Sequence, residues 1–326
     1  MNGTAPSTAT RRNRTMDGNI TRDTDGSPVK FSVRDATGIR EHYTQNGYVV
    51  IRGLLERPLI EAFMVEYERI KRSHVFVYHA QSTHRAIRPE LNEHGFIRES
   101  MLNASRLAAF GSFSDAIKQC IYGRAVSDAL YALDGHERHV SWQDMFFDLS
   151  TGTIEHADTW YLDTDPPGSV VGAWFALEDI DPRAGAFFVM PGSHRVAPLD
   201  KAHYAEHEAF RKATLKFVDE HGFRAKGMAI DQGDVILWHP FLIHGAFSNQ
   251  DPRFSRKSLT AHFFPYGARR HAMASTPLEP TFNPNMYRVK HPNDAMRNVL
   301  LYARFLFDLM RGRTAKMDMR RKSYST

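Results

Sequence analysis

The sequence predicts a mainly β fold with flanking helices, a sandwich or barrel, and three observations carry that expectation. Short runs rich in β-branched and aromatic residues follow one another at Val140–Leu149, Val170–Leu177, Ala186–Met190, Val235–Ile243 and Lys257–Phe264. Turn-forming residues punctuate them at Gly152, Gly168, Gly185, Pro191 and Gly233. Stretches of helical period lie before and after this region, and one helix-like insert, Ala197–Phe223, breaks the strand series, so the run of short strands argues for a sandwich or barrel.

In chain order, residues 1–30 are rich in Thr, Asn, Gly and Asp without a hydrophobic period and read as a flexible leader. Asp35-Ala36-Thr37 reads as a helix cap, followed by Ile39, His42 and Tyr43 at helical spacing. Gly47–Gly53 is a β-branched run between glycines and reads as a strand. In Leu54–Arg72, the residues Leu59, Ile60, Phe63, Met64, Tyr67 and Ile70 form one helical stripe facing a core. The segment His74–Asn103 is polar, rich in histidine and poorly periodic, a long loop able to cover a site. Ser112–Leu133 reads as helical with Cys120 on a buried turn, and Ala197–Phe223 as a helix-like insert or lid. Met296, Val299, Leu300, Ala303, Leu306, Phe307 and Met310 share a face of a terminal helix, 293–310, expected to cover its own barrel or, as the alternative, to join a second chain. The expected organisation is a single domain over 31–326, with its β core at about 139–265.

Composition narrows the function classes. Of the 326 residues 42% are hydrophobic and 24% charged, the balance of a globular protein. No run reaches the roughly 18 apolar residues of a membrane helix, and the single cysteine, Cys120, can form no disulfide within the chain. A cytoplasmic location is the expectation. The net charge of +5 gathers at Arg11–Arg14 and in the tail from Arg311 to Lys322, without a basic stripe interleaved with aromatics, so no nucleic-acid partner is expected.

Most of the 17 histidines carry no metal signal. His203 and His207 share a helix face but lack a carboxylate beside them, and His136–His139 lacks the HExxH spacing of a zinc protease. His156-Ala157-Asp158 differs, because in an extended segment residues i and i+2 point the same way. An imidazole and a carboxylate would then emerge together, as on the two-histidine, one-carboxylate face of non-haem Fe(II) oxygenases. Chance alone yields about two His-x-Asp/Glu triplets in this composition, so the triplet is not specific by itself. Its context is: His244 stands at the end of the run Asp234–His244 and supplies a second imidazole. Arg256 follows, opening the run Arg256–Phe263, and its planar fork suits the distal carboxylate of a dicarboxylate co-substrate. Ser258, two residues on, shares that face and could add a hydroxyl.

At these residues the chain resembles the phytanoyl-CoA dioxygenase family of Fe(II)- and 2-oxoglutarate-dependent oxygenases. The resemblance runs from Gly47–Gly53 to about Pro265 and is densest in His156–Asp158, Gly172–Asp181, Gly185–Arg195 with its Pro191-Gly192-Ser193-His194 turn, Gly233-Asp234 and His244–Lys257. It implies a double-stranded β-helix, a cupin-like jelly roll with iron at one mouth. His156, Asp158 and His244 would bind Fe(II), Arg256 the C5 carboxylate of 2-oxoglutarate, and Trp174 would lie against the co-substrate, with Gln143 a further contact. The interval from His244 to Arg256 is one residue longer than the family pattern, which makes Arg253 a rival. Halogenating relatives replace the carboxylate by a small residue, so Asp158 favours hydroxylation, with O2 consumed and succinate and CO2 released. Desaturation, cyclisation or demethylation use the same cofactors, and a non-oxygenase metal cupin or a binding protein remains the reading from another class. Thr159, Trp160, Tyr161, Asp163, Thr260 and His262 are the candidate contacts to a small-molecule substrate, a metabolite or natural-product intermediate. The segments 74–103 and 197–223 match nothing in the family, so its acyl-CoA substrate is not carried over.

Overall fold

The structure is a computed structural model and describes residues 28–311, apart from 74, 197–198, 200, 271–275 and 291–293. Most of the expected leader, through residue 27, and the basic tail after Arg311 lie outside the described residues.

Asp35 caps helix α1 (Ala36–Asn46), its carboxylate accepting the Gly38 N–H at 2.9 Å. Strand β1 (Tyr48–Ile51) follows at once, and then α2 (Arg57–Lys71) with Pro58 in its first turn. Ile60, Phe63, Tyr67 and Ile70 of the expected stripe are buried on α2. The region 74–103 is an irregular excursion with two-residue strands at Tyr78–His79, Ala86–Ile87 and Met101–Leu102. The helical stretch expected at 112–133 is formed by two helices, α3 (Gly111–Tyr122) and α4 (Arg124–Asp134). Gly123 between them has φ −58° and ψ 157°, an extended conformation that interrupts the i→i−4 hydrogen bonds.

The strands are β2 (His139–Phe147), β3 (Thr151–His156), β4 (Val171–Ala176), β5 (Phe187–Val189), β6 (Val235–Trp238), β7 (His244–Ser248) and β8 (Ser258–Pro265), with α5 (His207–His221) inserted between β5 and β6. They form two sheets. The larger runs β1-β6-β4-β8-β2, with Lys30–Phe31 outside β1 and Met286–Val289 then Leu278–Pro280 outside β2. The smaller runs β5-β7-β3, with Lys226–Gly227 outside β5. This is the two-sheet core of a jelly roll.

The larger sheet is buried on both faces, which is why its strands read as nearly continuous apolar runs. Along β4, Ala173 and Phe175 join the helix-side core with Phe63, Phe113 and Ile117. Trp174 and Ala176 point the other way, into the core between the sheets with Val50, Phe187 and Ile236. The alternation of period two divides one strand between two cores.

Three expectations need correction. The run Val235–Ile243 is not one strand: β6 stops at Trp238, Leu242 N–H turns back to the His239 carbonyl at 2.9 Å, and the chain crosses to the smaller sheet. Pro240 has no N–H to continue the ladder, so His244 opens β7 instead of closing β6. Arg256 precedes β8 instead of opening it. Finally, α6 (Asp294–Met310) forms, but the apolar face expected to cover the barrel is exposed at Met296, Val299, Leu300, Ala303, Leu306, Phe307 and Met310. Leu301, outside that stripe, is buried. Periodicity identifies the apolar face of a helix without saying what lies against it. No helix among the described residues is long and apolar enough to cross a membrane.

Candidate active site

His156 ends β3 and His244 begins β7, and the two are paired directly across these antiparallel strands. Their rings come within 4.3 Å, centroid to centroid. Ala157 keeps extended backbone (φ −113°, ψ 146°), so Asp158 emerges on the side of His156 before the chain turns into a short 3-10 segment. The Asp158 N–H is held by the Pro240 carbonyl at 3.0 Å, in the same turn that delivers His244.

Each imidazole has its Nδ1 against a backbone carbonyl two residues back, His156 to Ile154 and His244 to Leu242, both at 2.9 Å. A carbonyl only accepts, so Nδ1 carries the proton and Nε2 keeps its lone pair. Both Nε2 atoms face Asp158 Oδ1, at 3.8 Å and 3.7 Å. Burial pushes His244 down to about 4, outweighing the upward pull of Asp158, so the ring is neutral near pH 7. Burial on its own would raise the Asp158 carboxyl, but His244, His262 and His156 together hold it well below the usual range. Two imidazoles and one carboxylate, with ligand atoms all within 4.8 Å of one another, fit a divalent metal and leave its remaining positions open.

The triad lies in a cavity of about 430 Å³. Arg256 reaches into it, 3% exposed. Its Nη1 donates to the Gly185 carbonyl at 3.1 Å and its guanidinium lies over Phe147, 5.4 Å from the ring centroid. Gly185 has φ +87°, and a Cβ there would come within 2.3 Å of the Phe247 carbonyl, so glycine is needed where the arginine is supported. No carboxylate among the described residues pairs with Arg256, its Nε is buried without a partner, and burial pushes the guanidinium down to about 10. Arg253, the rival, is an exposed surface residue bound to Asp251 at 2.6 Å.

Trp174 lines the same cavity and stacks on Phe187 at 5.9 Å, and Gln143, Trp160, Tyr161, Thr260 and His262 also line it. Three expected residues do not. Ser258 is buried and turns its hydroxyl to the carbonyl of Arg256 at 3.2 Å. Asp163 accepts the N–H groups of Thr164 and Gly168 at 2.8 Å and 3.1 Å, shaping the following loop. Thr159 faces a separate small recess with Phe217 and Ile243. The alternation that places Ser258 with Arg256 says nothing about how far along the strand the cavity extends.

Sequence reasoning missed Trp238, Phe187, Met145 and Phe147 from the barrel, and His207 and Phe210 from α5. On α5, His207 lies 5.0 Å from Tyr161 and Phe210 lies 5.1 Å from Trp160, building an aromatic wall beside the triad. The aromatic spacing in 207–210 was a visible signal, but nothing in the sequence brings that insert to the loop after Asp158. The 74–103 excursion contributes Gln81, Ser82, His84 and Leu102 to the lining.

Residues 43–258 match the family model for phytanoyl-CoA dioxygenase (PhyH). The peroxisomal phytanoyl-CoA dioxygenase of Bos taurus is 27% identical over 232 residues, covering 69% of this chain and 67% of the bovine protein. Phytanoyl-CoA dioxygenase 1 of Oryza sativa is 28% identical over 165 residues, 47% of this chain and 54% of the rice protein. Among solved structures, the non-haem α-ketoglutarate-dependent epimerase SnoN of nogalamycin biosynthesis shares the fold with a TM-score of 0.53 at 16% identity, over 79% of this chain and 97% of SnoN. EctD from S. alaskensis with bound Fe gives 0.52 at 18%, over 85% and 87%. With the family model matched over more than half of its length and a His-Asp-His group able to hold a metal in place, the chain belongs to the phytanoyl-CoA dioxygenase family and is an Fe(II)- and 2-oxoglutarate-dependent dioxygenase.

Proposed function

We propose that this dioxygenase hydroxylates a small, uncharged metabolite or natural-product intermediate, with His156, Asp158 and His244 holding Fe(II) and Arg256 holding the distal carboxylate of 2-oxoglutarate. The observation that carries the reading is Arg256: a guanidinium buried beside the triad without a protein carboxylate needs an anion to compensate it. A metal cupin without a dicarboxylate co-substrate would leave that burial unexplained. The chemistry supplied by Fe(II) with 2-oxoglutarate and O2 is decarboxylation to succinate and CO2 coupled to oxidation of the substrate.

The chain's own residues orient and shield. Arg256 fixes one end of the co-substrate by paired hydrogen bonds, while Trp174 and Phe187 confine its carbon chain. The wall of Trp160, Tyr161, His207 and Phe210 gives a substrate an apolar surface and excludes water next to the triad. Two arginines line the cavity among the described residues. Arg256 is deep inside, and Arg211 is engaged with Glu208 at 2.6 Å and 2.8 Å. That composition suits an uncharged substrate better than the phosphates of a CoA thioester. The position of the substrate carbon, not the metal ligands, separates hydroxylation from desaturation, cyclisation or demethylation. A cytoplasmic setting accords with one buried, unpaired cysteine, Cys120.

The test is anaerobic. Fe(II) followed by 2-oxoglutarate is expected to give a visible charge-transfer band in the wild type and none in His156→Ala. Screening of uncharged ring compounds and CoA thioesters by substrate-dependent succinate release then defines the substrate. Folded, Fe(II)-treated protein without a band at saturating 2-oxoglutarate would overturn the assignment.

A further inference from the structure

The two oxygens of Asp158 have different surroundings. Oδ1 faces the Nε2 atoms of His156 and His244. Oδ2 accepts a hydrogen bond from the indole Nε1–H of Trp238 at 2.8 Å, with His262 Nε2 at 3.4 Å from the same oxygen. We propose that Trp238 is a positioning residue that reserves Oδ2, so that Asp158 meets the metal through Oδ1 alone; this rests on the triad's being the Fe(II) site.

The surrounding structure is arranged for that bond. Trp238, 1% exposed, is the last residue of β6 and pairs in register with Gly172 on β4. A Cβ on Gly172 would stand 2.0 Å from Cε2 of the indole, so the ring has its place only because residue 172 is glycine. The indole also borders His244 at 5.0 Å, Phe187 at 5.2 Å and, edge to face, His262 at 5.7 Å. Two residues past Trp238, the Pro240 carbonyl holds the Asp158 N–H. The end of one strand thus fixes both the backbone and the side chain of the carboxylate ligand.

An indole has one donor and no acceptor, so the contact has a single polarity. A carboxylate with both oxygens unengaged can turn toward the metal with either or both, occupying a position that co-substrate or O2 needs. With Oδ2 engaged, rotation of the carboxylate costs a buried hydrogen bond to a charged acceptor.

The experiment measures Fe(II) dissociation constants anaerobically, together with the d–d spectrum of the Co(II)-substituted protein. Trp238→Phe keeps a ring and removes the donor; Gly172→Ala keeps the donor and displaces the ring. Val50→Ala loosens the same inter-sheet core without touching the carboxylate. Fe(II) affinity should fall about 10–100-fold in the first two, the range seen when partners of metal ligands are removed, with an altered Co(II) spectrum. Val50→Ala should stay within about twofold of wild type with an unchanged spectrum. Folded Trp238→Phe with wild-type affinity and spectrum overturns the proposal, as does an equal loss in Val50→Ala. If Trp238→Phe does not fold, Gly172→Ala against Val50→Ala decides on the same criteria. Equal affinity in wild type and His156→Ala would instead overturn the metal site itself, a distinct failure.

Discussion

Replacing Arg256 by methionine should weaken co-substrate binding while making the cofactor-free protein more stable, a pair of effects that few other readings produce. Burial brings the guanidinium from 12.5 to about 10, which at ~1.4 kcal/mol per tenfold amounts to about 3 kcal/mol against folding. The sign follows from linkage: a cation with a depressed folded-state pKa destabilises the folded protein in full below about pH 10, and that cost disappears only as the pH rises from there toward 12.5. Methionine of similar length removes the charge. It also removes the donor to the Gly185 carbonyl, returning about 1–2 kcal/mol of cost. The net expectation is a gain of roughly 1–2 kcal/mol for the cofactor-free form. Against this, two charge-assisted hydrogen bonds to a carboxylate contribute about 3–6 kcal/mol, or roughly 10²–10⁴ in affinity. Urea unfolding of the cofactor-free protein reads the first effect, and anaerobic titration of the charge-transfer band with 2-oxoglutarate reads the second. A variant that binds 2-oxoglutarate within tenfold of wild type would refute the role. So would a cofactor-free variant destabilised by more than about 2 kcal/mol, which would make Arg256 a structural residue.

Other outcomes follow from the packing. His239 is pushed down to about 4 by burial and by nearby His194, and its Nδ1 accepts the Phe241 N–H at 3.1 Å. A depressed histidine contributes stability that is complete above its unfolded value of 6.5 and is lost as pH falls toward 4. Stability should therefore decline by up to ~3 kcal/mol over that window, and His239→Asn should flatten the decline measured by denaturation at pH 7 and pH 5. Phe63 meets Tyr67, Phe113 and Phe146 in the helix-side core, so Phe63→Ala should cost about 3–5 kcal/mol in urea unfolding. On α6, Leu301→Ala should cost about 2–3 kcal/mol. Leu300→Ala, 60% exposed in the wild type, should stay within about 0.5 kcal/mol, and an equal loss at both would mean that the apolar face is covered in solution.

The signals with a short period were legible. The α1 cap at Asp35, the α2 stripe, the core strands and the outward direction shared by His156 and Asp158 follow from spacings of two to four residues, because backbone geometry alone sets those repeats. The family resemblance picked out His156, Asp158, His244 and Arg256, and the structure brings all four into one cavity. What depends on how segments meet was not legible. Tertiary structure decided that the apolar run from Val235 stops at Trp238 and changes sheets, since a strand and a strand-plus-turn of the same residues have the same local pattern. It decided that Ser258, Thr159 and Asp163 lie off the cavity while α5 brings Phe210 to Trp160, because the boundary of a cavity is a property of contacts between distant elements. It also decided that Trp238 donates to Asp158, a contact allowed by the empty space over Gly172. By itself, the sequence determined most of the short-period elements and, through the family resemblance, the class of chemistry, for these are carried by residue type and near-neighbour spacing. The partners of each carboxylate, the aromatic wall of the cavity and the exposed face of α6 were settled only when the chain closed on itself, because burial and distance exist between residues and not within them.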